Sequence, residues 1–147
     1  MQLIIFLIII LFINNSALSK DEYFLTLRND KVNLRLGPSF NYPIKIFYKK
    51  KFLPVLIEDS SDNFKKIRDH ENNSGWIHIS QLSKKKAAIV TDDDSILFNS
   101  STIYSNPIAI LKKGWLVKIS KCKKDWCKVK TGNYKGWLKK NILWGLL

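Results

Sequence analysis

Hydrophobic and polar residues alternate over short segments along most of the chain. After residue 20, no window sustains the i, i+3, i+4, i+7 apolar spacing of an amphipathic helix. Short runs rich in β-branched and aromatic residues are instead separated by Gly, Pro, Asn, Asp and Ser, as in YFLTLR, KVNLRL, GWIHIS and WLVKIS. Such runs, spaced about 8–12 residues apart, predict an all-β fold built from small barrels or sandwiches.

The first nineteen residues follow a different pattern. The apolar run from Leu3 to Ile13 contains no charged residue, and Ala17 and Ser19 place small side chains just before Lys20. As a helix this run would extend about 16 Å, which is too short for a ~30 Å hydrocarbon core. We therefore expect a signal peptide over residues 1–19, and a periplasmic or secreted protein with no membrane span after cleavage. Because no Lys or Arg precedes the run, an uncleaved N-terminal anchor is the alternative.

The two halves of the remaining chain align with each other. Their offset drifts from 64 to 61 residues, and the matched positions are Pro43 with Pro107, Phe52 with Trp115, Phe64 with Trp126, Ile67 with Val129, and Gly75-Trp76 with Gly136-Trp137. A period near 62 residues indicates two tandem modules. We expect one domain over residues 20–84 and a second over residues 85–147.

A Gly-Trp pair near the end of each repeat suggests a shared structural element. Gly75 and Gly136 each follow a polar turn, where glycine provides either a positive φ or room for close backbone approach. We expect Trp76 and Trp137 to fill cores that are too small to close otherwise. Trp126 is also expected to be structural, and Trp144 is expected to seal the seam between the repeats.

Taken together, these motifs resemble those of a known domain family. VNLRLGPSFNYPI, GWIHISQL and DWCKVKTGNYKGWLKKNILWGLL resemble the bacterial SH3-like (SH3b) domain, and the whole is similar to secreted tandem SH3b proteins of Gram-negative bacteria. The resemblance covers about residues 25–147. It implies two tandem small β-barrels of about five strands each, with a binding or scaffolding role at the cell envelope. SILFNSSTIYSNPI, which starts the second repeat, lacks the Arg and Gly-Pro of the first.

The two cysteines lie on either side of a Lys-Lys-Asp turn. In an exported chain, the C-x4-C spacing of Cys122 and Cys127 favours a disulfide between facing strands. A pair of reduced cysteines, or a metal or redox pair, is the alternative. Zinc would require four ligands, and the sequence has no His or Cys cluster to supply them. We expect no metal site and no cofactor.

The sequence offers no catalytic constellation. It lacks a nucleophile elbow, a P-loop and paired carboxylates, and its only histidines are His70 and His78. We therefore expect a protein that is not an enzyme.

Charge is distributed unevenly between the repeats. The chain carries a net charge of +13, of which 13 lysines and four aspartates place +9 in residues 85–147. A basic patch attracts nucleic acid, anionic lipid or acidic polysaccharide, and an exported protein rarely meets nucleic acid. The alternative is a solvated lysine surface without a binding role.

These observations support two functional hypotheses. The first is a non-catalytic envelope-binding module that recognises peptidoglycan or another wall-associated ligand. The second is a scaffold or signalling module that binds a peptide segment of an envelope protein. Aromatic side chains suited to a groove and lysines on the basic repeat supply the candidate ligand-binding residues, which are Arg35, Phe40, Tyr42, Lys123 and Lys124. The sequence leaves the oligomeric state open.

Overall fold

The computed structural model describes residues 20–147, so the expected signal peptide lies outside the described residues. Within this range the fold is all-β, as the alternation of polar and apolar residues predicts, and two short 3₁₀ helices are its only helical elements. No helix in residues 20–147 is long and apolar enough to cross a membrane.

The first sheet contains seven antiparallel strands. They are β1 (Tyr23–Leu27), β2 (Val32–Arg35), β3 (Ile44–Tyr48), β4 (Pro54–Ser61), β5 (Phe64–Arg68), β6 (Ser74–His78) and β7 (Leu82–Ser83). Their order across the sheet is β3-β2-β6-β5-β4-β1-β7, and a 3₁₀ helix, Ile79–Gln81, connects β6 to β7. We call this unit copy 1.

The second sheet repeats the first strand for strand. Its members are β8 (Ala87–Val90), β9 (Ser95–Phe98), β10 (Pro107–Leu111), β11 (Leu116–Lys123), β12 (Trp126–Thr131), β13 (Tyr134–Lys139) and β14 (Leu143–Trp144). Their order is β10-β9-β13-β12-β11-β8-β14, and a 3₁₀ helix, Lys140–Ile142, again connects the last two strands. We call this unit copy 2, and the duplicated order confirms the tandem all-β fold.

Each copy has more strands than the expected five. The long connection between β1 and β4 folds into the β2–β3 hairpin, and β9–β10 does the same in copy 2. A two-residue strand then closes each sheet against its first strand. Each sheet curls around a buried apolar cluster, and leucine, isoleucine and valine form most of both clusters.

The recurring glycines provide space for close backbone approach. A Cβ atom on Gly75 would lie 2.7 Å from the backbone oxygen of Arg35, and one on Gly136 would lie 2.6 Å from that of Phe98. Neither glycine has a positive φ. Because both glycines face inward, the alternation of a strand turns the next residue, Trp76 or Trp137, toward the outer face. Neither ring belongs to the buried cluster of its copy, although Trp137 is only 9% exposed.

The two copies pack directly against each other. Ile89 of copy 2 belongs to the buried cluster of copy 1, and Leu116 packs against the same cluster. The structure places Trp144 at this seam, where its ring contacts Phe24 edge-to-face at a centroid distance of 4.9 Å. Gly145 follows with a φ of 127°, and a Cβ there would lie 2.7 Å from the backbone oxygen of Ala87.

Candidate binding groove

A groove of about 450 Å³ opens at one end of copy 2. It lies between the β9–β10 loop, the β11–β12 turn and the 3₁₀ helix that follows β13. Its lining combines hydroxyl, amide, charged and apolar side chains, namely Ser101, Thr102, Ile103, Asp125, Trp126, Lys139, Lys140 and Asn141. We call this feature the copy 2 groove.

Trp126 forms the aromatic wall of the groove. It is the first residue of β12 and points away from the core, because the next residue, Cys127, points into it. Its ring contacts Phe98 edge-to-face at a centroid distance of 5.7 Å. The backbone N–H of Lys140 donates to the carbonyl of Asp125 at 2.7 Å, which ties the β11–β12 turn to the 3₁₀ helix. Two sides of the groove are thus held together.

The β9–β10 loop forms the opposite wall and is braced by its own hydrogen bonds. The backbone N–H of Asn99 donates to the carbonyl of Asn106 at 2.9 Å, which closes the loop. The hydroxyl of Ser105 donates to the carbonyls of Ser100 and Thr102. This bracing presents Tyr104, which is 91% exposed, at the tip of the loop. Ile103 of the same loop lines the groove, and Tyr104 is its exposed neighbour in the chain.

The equivalent place in copy 1 is occupied by Phe40. Its ring lies 5.2 Å from Phe64, the counterpart of Trp126, and 5.1 Å from the ring of His78, the counterpart of Lys139. The backbone N–H of Ser80 donates to Nδ1 of His78, which holds that ring in place. Phe40 remains 65% exposed, so copy 1 presents an aromatic surface where copy 2 presents a groove.

Arg35 and Tyr42 shape the loop that carries Phe40. The Arg35 guanidinium donates to the carbonyls of Phe40 at 3.2 Å and Tyr42 at 2.9 Å, and it lies over the Phe40 ring at 5.3 Å. The ring of Tyr42 lies against Gly37, where a Cβ atom would approach it to 2.4 Å. The structure therefore brings these three candidate residues into one cluster, in which Arg35 positions the loop.

Comparison with known proteins assigns the family. The profile described as "Bacterial SH3 domain" matches residues 28–84 and 101–145, which is more than half of the chain. The chain belongs to the bacterial SH3 domain family. The two matched segments fall in copy 1 and copy 2, which confirms the tandem SH3b resemblance. Bacterial SH3 domains occur in envelope-associated proteins and are usually binding modules, typically of the cell wall.

Solved structures similar to this tandem SH3 chain include two proteins from Trichomonas vaginalis. NlpC2 is 13% identical with a TM-score of 0.39, and the match covers 84% of this chain and 48% of NlpC2. NlpC1 is 13% identical with a TM-score of 0.37, and the match covers 87% of this chain and 47% of NlpC1. An NlpC/P60 family protein from Bacillus cereus ATCC 10987 is 12% identical with a TM-score of 0.37, at 82% and 55% coverage. The SH3 chain thus spans about half the length of each, and no curated protein matches it.

The two candidate lysines lie on different parts of the second SH3 copy. Lys123 ends β11 and places its Nζ 4.9 Å from the centroid of the Trp137 ring. Lys124 is exposed in the β11–β12 turn and has a φ of 47°.

Cys122 and Cys127 face each other across β11 and β12, and the structure joins them in a disulfide that closes this turn. In residues 20–147, no group of three or more His, Cys, Asp or Glu side chains is placed to hold a metal ion.

A buried polar network supports the end of copy 1 that lies near the second SH3 copy. The Tyr48 hydroxyl donates to Asp69 at 2.8 Å, and Asp69 also accepts from Asn73 and from the backbone of Glu71. Burial alone raises the pKa of Asp69, but these hydrogen bonds outweigh it and hold the pKa below its usual range. Burial, followed by the bond to Asp69, raises the pKa of Tyr48 well above its usual range. None of the residues in this network lines the copy 2 groove.

Sequence reasoning missed most of the groove. Ser101, Thr102, Ile103 and Asn141 were not candidates, and Trp126 was expected only to be structural. A signal was available in the repeat, because Phe64 aligns with Trp126 while the β9–β10 loop has no counterpart of Gly37-Pro38. The sequence could not show that this loop leaves Trp126 uncovered, since that depends on the loop's path.

Proposed function

We propose that this protein is a non-catalytic binding module of the cell envelope, and that copy 2 binds peptidoglycan or a wall-associated ligand in its groove. One observation carries the proposal. At the place where Phe40 covers the surface of copy 1, copy 2 opens a groove with an aromatic wall and two lysines. Membership of a family whose domains are typically cell-wall binding supports the same function.

The groove has the chemistry that a wall fragment requires. An aromatic wall such as Trp126 can stack against a sugar ring, and Lys139 and Lys140 can pair with peptide carboxylates. Hydroxyl and amide side chains from Ser101, Thr102 and Asn141 can bond to sugar hydroxyls and amides. Export to the periplasm or beyond, which the proposal needs, rests on the signal peptide expected over residues 1–19.

Exposed apolar side chains beside the groove favour a second candidate function. Ile103 and Tyr104 project from the β9–β10 loop and could hold a peptide segment of an envelope protein. Such contacts depend little on salt, whereas lysine–carboxylate contacts weaken as ionic strength rises. Salt dependence therefore separates the scaffold function from wall binding.

The test is co-sedimentation of residues 20–147 with purified peptidoglycan sacculi over a salt series. We expect binding that weakens with salt and that Trp126→Ala reduces by about tenfold, equivalent to ~1.4 kcal/mol. Trp115→Ala is the matched control, because Trp115 is a more exposed tryptophan of copy 2 that lies outside the groove. Absence of co-sedimentation at every salt concentration would contradict wall binding and favour a protein partner.

A further inference from the structure

The outer face of copy 2 carries a second feature, which shares only Trp126 and Lys139 with the groove. Three rows of side chains cross β11, β12 and β13 and point away from the core. The rows are Lys118–Lys130–Lys135, Lys121–Lys128–Trp137 and Lys123–Trp126–Lys139. We call the seven lysines of these rows the lysine face.

Copy 1 has the same rows with different chemistry. Its strands β4, β5 and β6 align Leu56–Arg68–Ser74, Asp59–Lys66–Trp76 and Ser61–Phe64–His78. A bulge precedes the middle row in both copies, between Ile57 and Asp59 and between Ile119 and Lys121. The register is thus conserved between the copies, and the position that holds Asp59 in copy 1 holds Lys121 in copy 2.

In the part of the chain that the structure describes, two of the three charged side chains in the copy 1 rows, Asp59 and Arg68, form salt bridges, and none of the lysine face does. In copy 1, Glu58 lies 2.7 Å from Arg68, and Asp59 pairs with Lys20. Within residues 20–147, no lysine of the lysine face forms a salt bridge. Opposed side chains in an antiparallel pair lie ~4.5–5.5 Å apart at Cβ, so Lys121 opposite Lys128 is an unfavourable arrangement. An uncompensated arrangement of this kind indicates a surface that meets negative charge from elsewhere.

Aromatic rings hold three of these lysines in place. The ammonium groups of Lys121 and Lys123 lie 5.8 and 4.9 Å from the centroid of the Trp137 ring. The ammonium group of Lys118 lies 4.3 Å from the ring of Phe52 in copy 1. Cation–π contacts orient the charges without neutralising them. Trp137 is 9% exposed beneath these side chains, so the face presents charge and little apolar surface.

We propose that the lysine face binds a linear anionic polysaccharide, independently of the ligand taken by the copy 2 groove. The outer face of a curled sheet is convex, so a flexible chain can follow it while a flat bilayer meets it over a smaller area. Residues 85–147 contain lysine but no arginine. Lysine binds as a point charge and not through a bidentate fork, so charge density and not phosphate geometry determines the ligand. Carboxylated and sulfated glycans share this chemistry.

The test measures binding of residues 20–147 to heparin, a soluble sulfated polysaccharide, and to phosphatidylglycerol vesicles. Lys121→Asp places in copy 2 the residue that copy 1 has at this position. We expect it to weaken heparin binding by about tenfold and to flatten its salt dependence. Lys130→Asp, in the neighbouring row, is expected to have a similar effect. Weaker binding by both variants would show that the loss does not come from a local structural change at Lys121.

Lys49→Asp is the matched control, because it makes the same change of net charge at an exposed lysine of copy 1. Equal weakening by Lys49→Asp and Lys121→Asp would show a net-charge effect and overturn the proposal. Tighter binding to the vesicles than to heparin would also overturn it in favour of a membrane surface. The sacculus assay with Trp126→Ala is scored separately, so failure of the groove function leaves this result interpretable.

Discussion

Copy 1 and copy 2 share one strand order and the same strand pairing, yet they differ at both of the proposed binding surfaces. Copy 1 covers its groove position with Phe40 and pairs Asp59 and Arg68 on its outer face, whereas copy 2 leaves Trp126 open and assembles unpaired lysines. Inward positions match closely between the copies, as Ile67 and Val129 do in β5 and β12. The difference teaches that inward positions specify this fold and outward positions are free to diverge.

The largest expected effect comes from the glycines that both copies share. We expect Gly75→Ala and Gly136→Ala each to lower the free energy of unfolding by about 3 kcal/mol, because the new methyl would overlap a backbone oxygen and a core leucine. Urea denaturation followed by tryptophan fluorescence measures this loss. Gly114→Ala is the control, since its φ is 84° but nothing lies within 4 Å of the added Cβ. Equal losses at all three sites would contradict overlap as the cause, because nothing crowds an added Cβ at Gly114.

The next largest loss of stability is expected at a cross-strand pair that differs between the copies. Copy 2 joins Cys122 to Cys127, while copy 1 has a hydrogen bond from Lys65 to Ser60 at the same register. We expect replacement of both cysteines by serine to lower the unfolding free energy by about 2 kcal/mol, the value for a short loop. Ser60→Ala in copy 1 is expected to lower it by less than ~0.5 kcal/mol, because that bond is exposed. Thermal denaturation of both variants, with and without reductant, tests the contrast.

A smaller effect is expected at a polar pair that only copy 1 contains. Tyr48 lies opposite Val32 and bonds to Asp69, whereas its counterpart, Leu111, lies opposite Ser95 and belongs to an apolar cluster. Tyr48→Phe removes one hydrogen bond to a buried carboxylate, and we expect a loss of about 1.5 kcal/mol. Leu111→Val, with an expected loss of about 1 kcal/mol, provides an apolar comparison in copy 2.

The same network predicts the pH dependence of copy 1. Because folding lowers the pKa of Asp69, its contribution to stability is present above the unfolded pKa and is lost as pH falls through the folded value. Because folding raises the pKa of Tyr48, its contribution is complete below an unfolded pKa of about 10 and declines above it. Denaturation midpoints measured from pH 2 to pH 7, roughly the span over which an aspartate titrates, should depend less on pH in Tyr48→Phe. An unchanged pH profile in that variant would contradict this account.

The repeat made much of the fold predictable from sequence. Gly75 and Gly136 mark equivalent strands of the two copies, β6 and β13, and the apolar positions around them alternate with a period of two. Counting that period from the glycines also places Trp76 and Trp137 on the outer faces of the sheets. The groove was harder to predict, because the sequence does not show how the eight-residue β2–β3 and β9–β10 loops fold. The path of each loop decides whether a side chain such as Phe40 or open space lies against β5 or β12. The lysine face needed the register of three strands, which composition alone does not give.

The smallest effect on stability tests the comparison most directly. Asp59→Lys gives copy 1 the like-charged pair that Lys121 and Lys128 form in copy 2, and we expect a loss of about 1 kcal/mol. Lys121→Asp does the opposite, and we expect a gain of about 0.5 kcal/mol from the new pair with Lys128. Thermal denaturation measures both changes.

Combining Asp59→Lys with Lys121→Asp exchanges the two charges between the copies and leaves the net charge at +13. If the lysine face binds polysaccharide, this double variant should bind heparin more weakly than the unaltered chain, because the middle row of copy 2 has lost a charge that copy 1 cannot replace. Its seven-lysine arrangement is interrupted, while copy 1 gains a single lysine beside Lys66. Equal binding of the two proteins would mean that net charge, and not the alignment of lysines across three strands, controls the interaction.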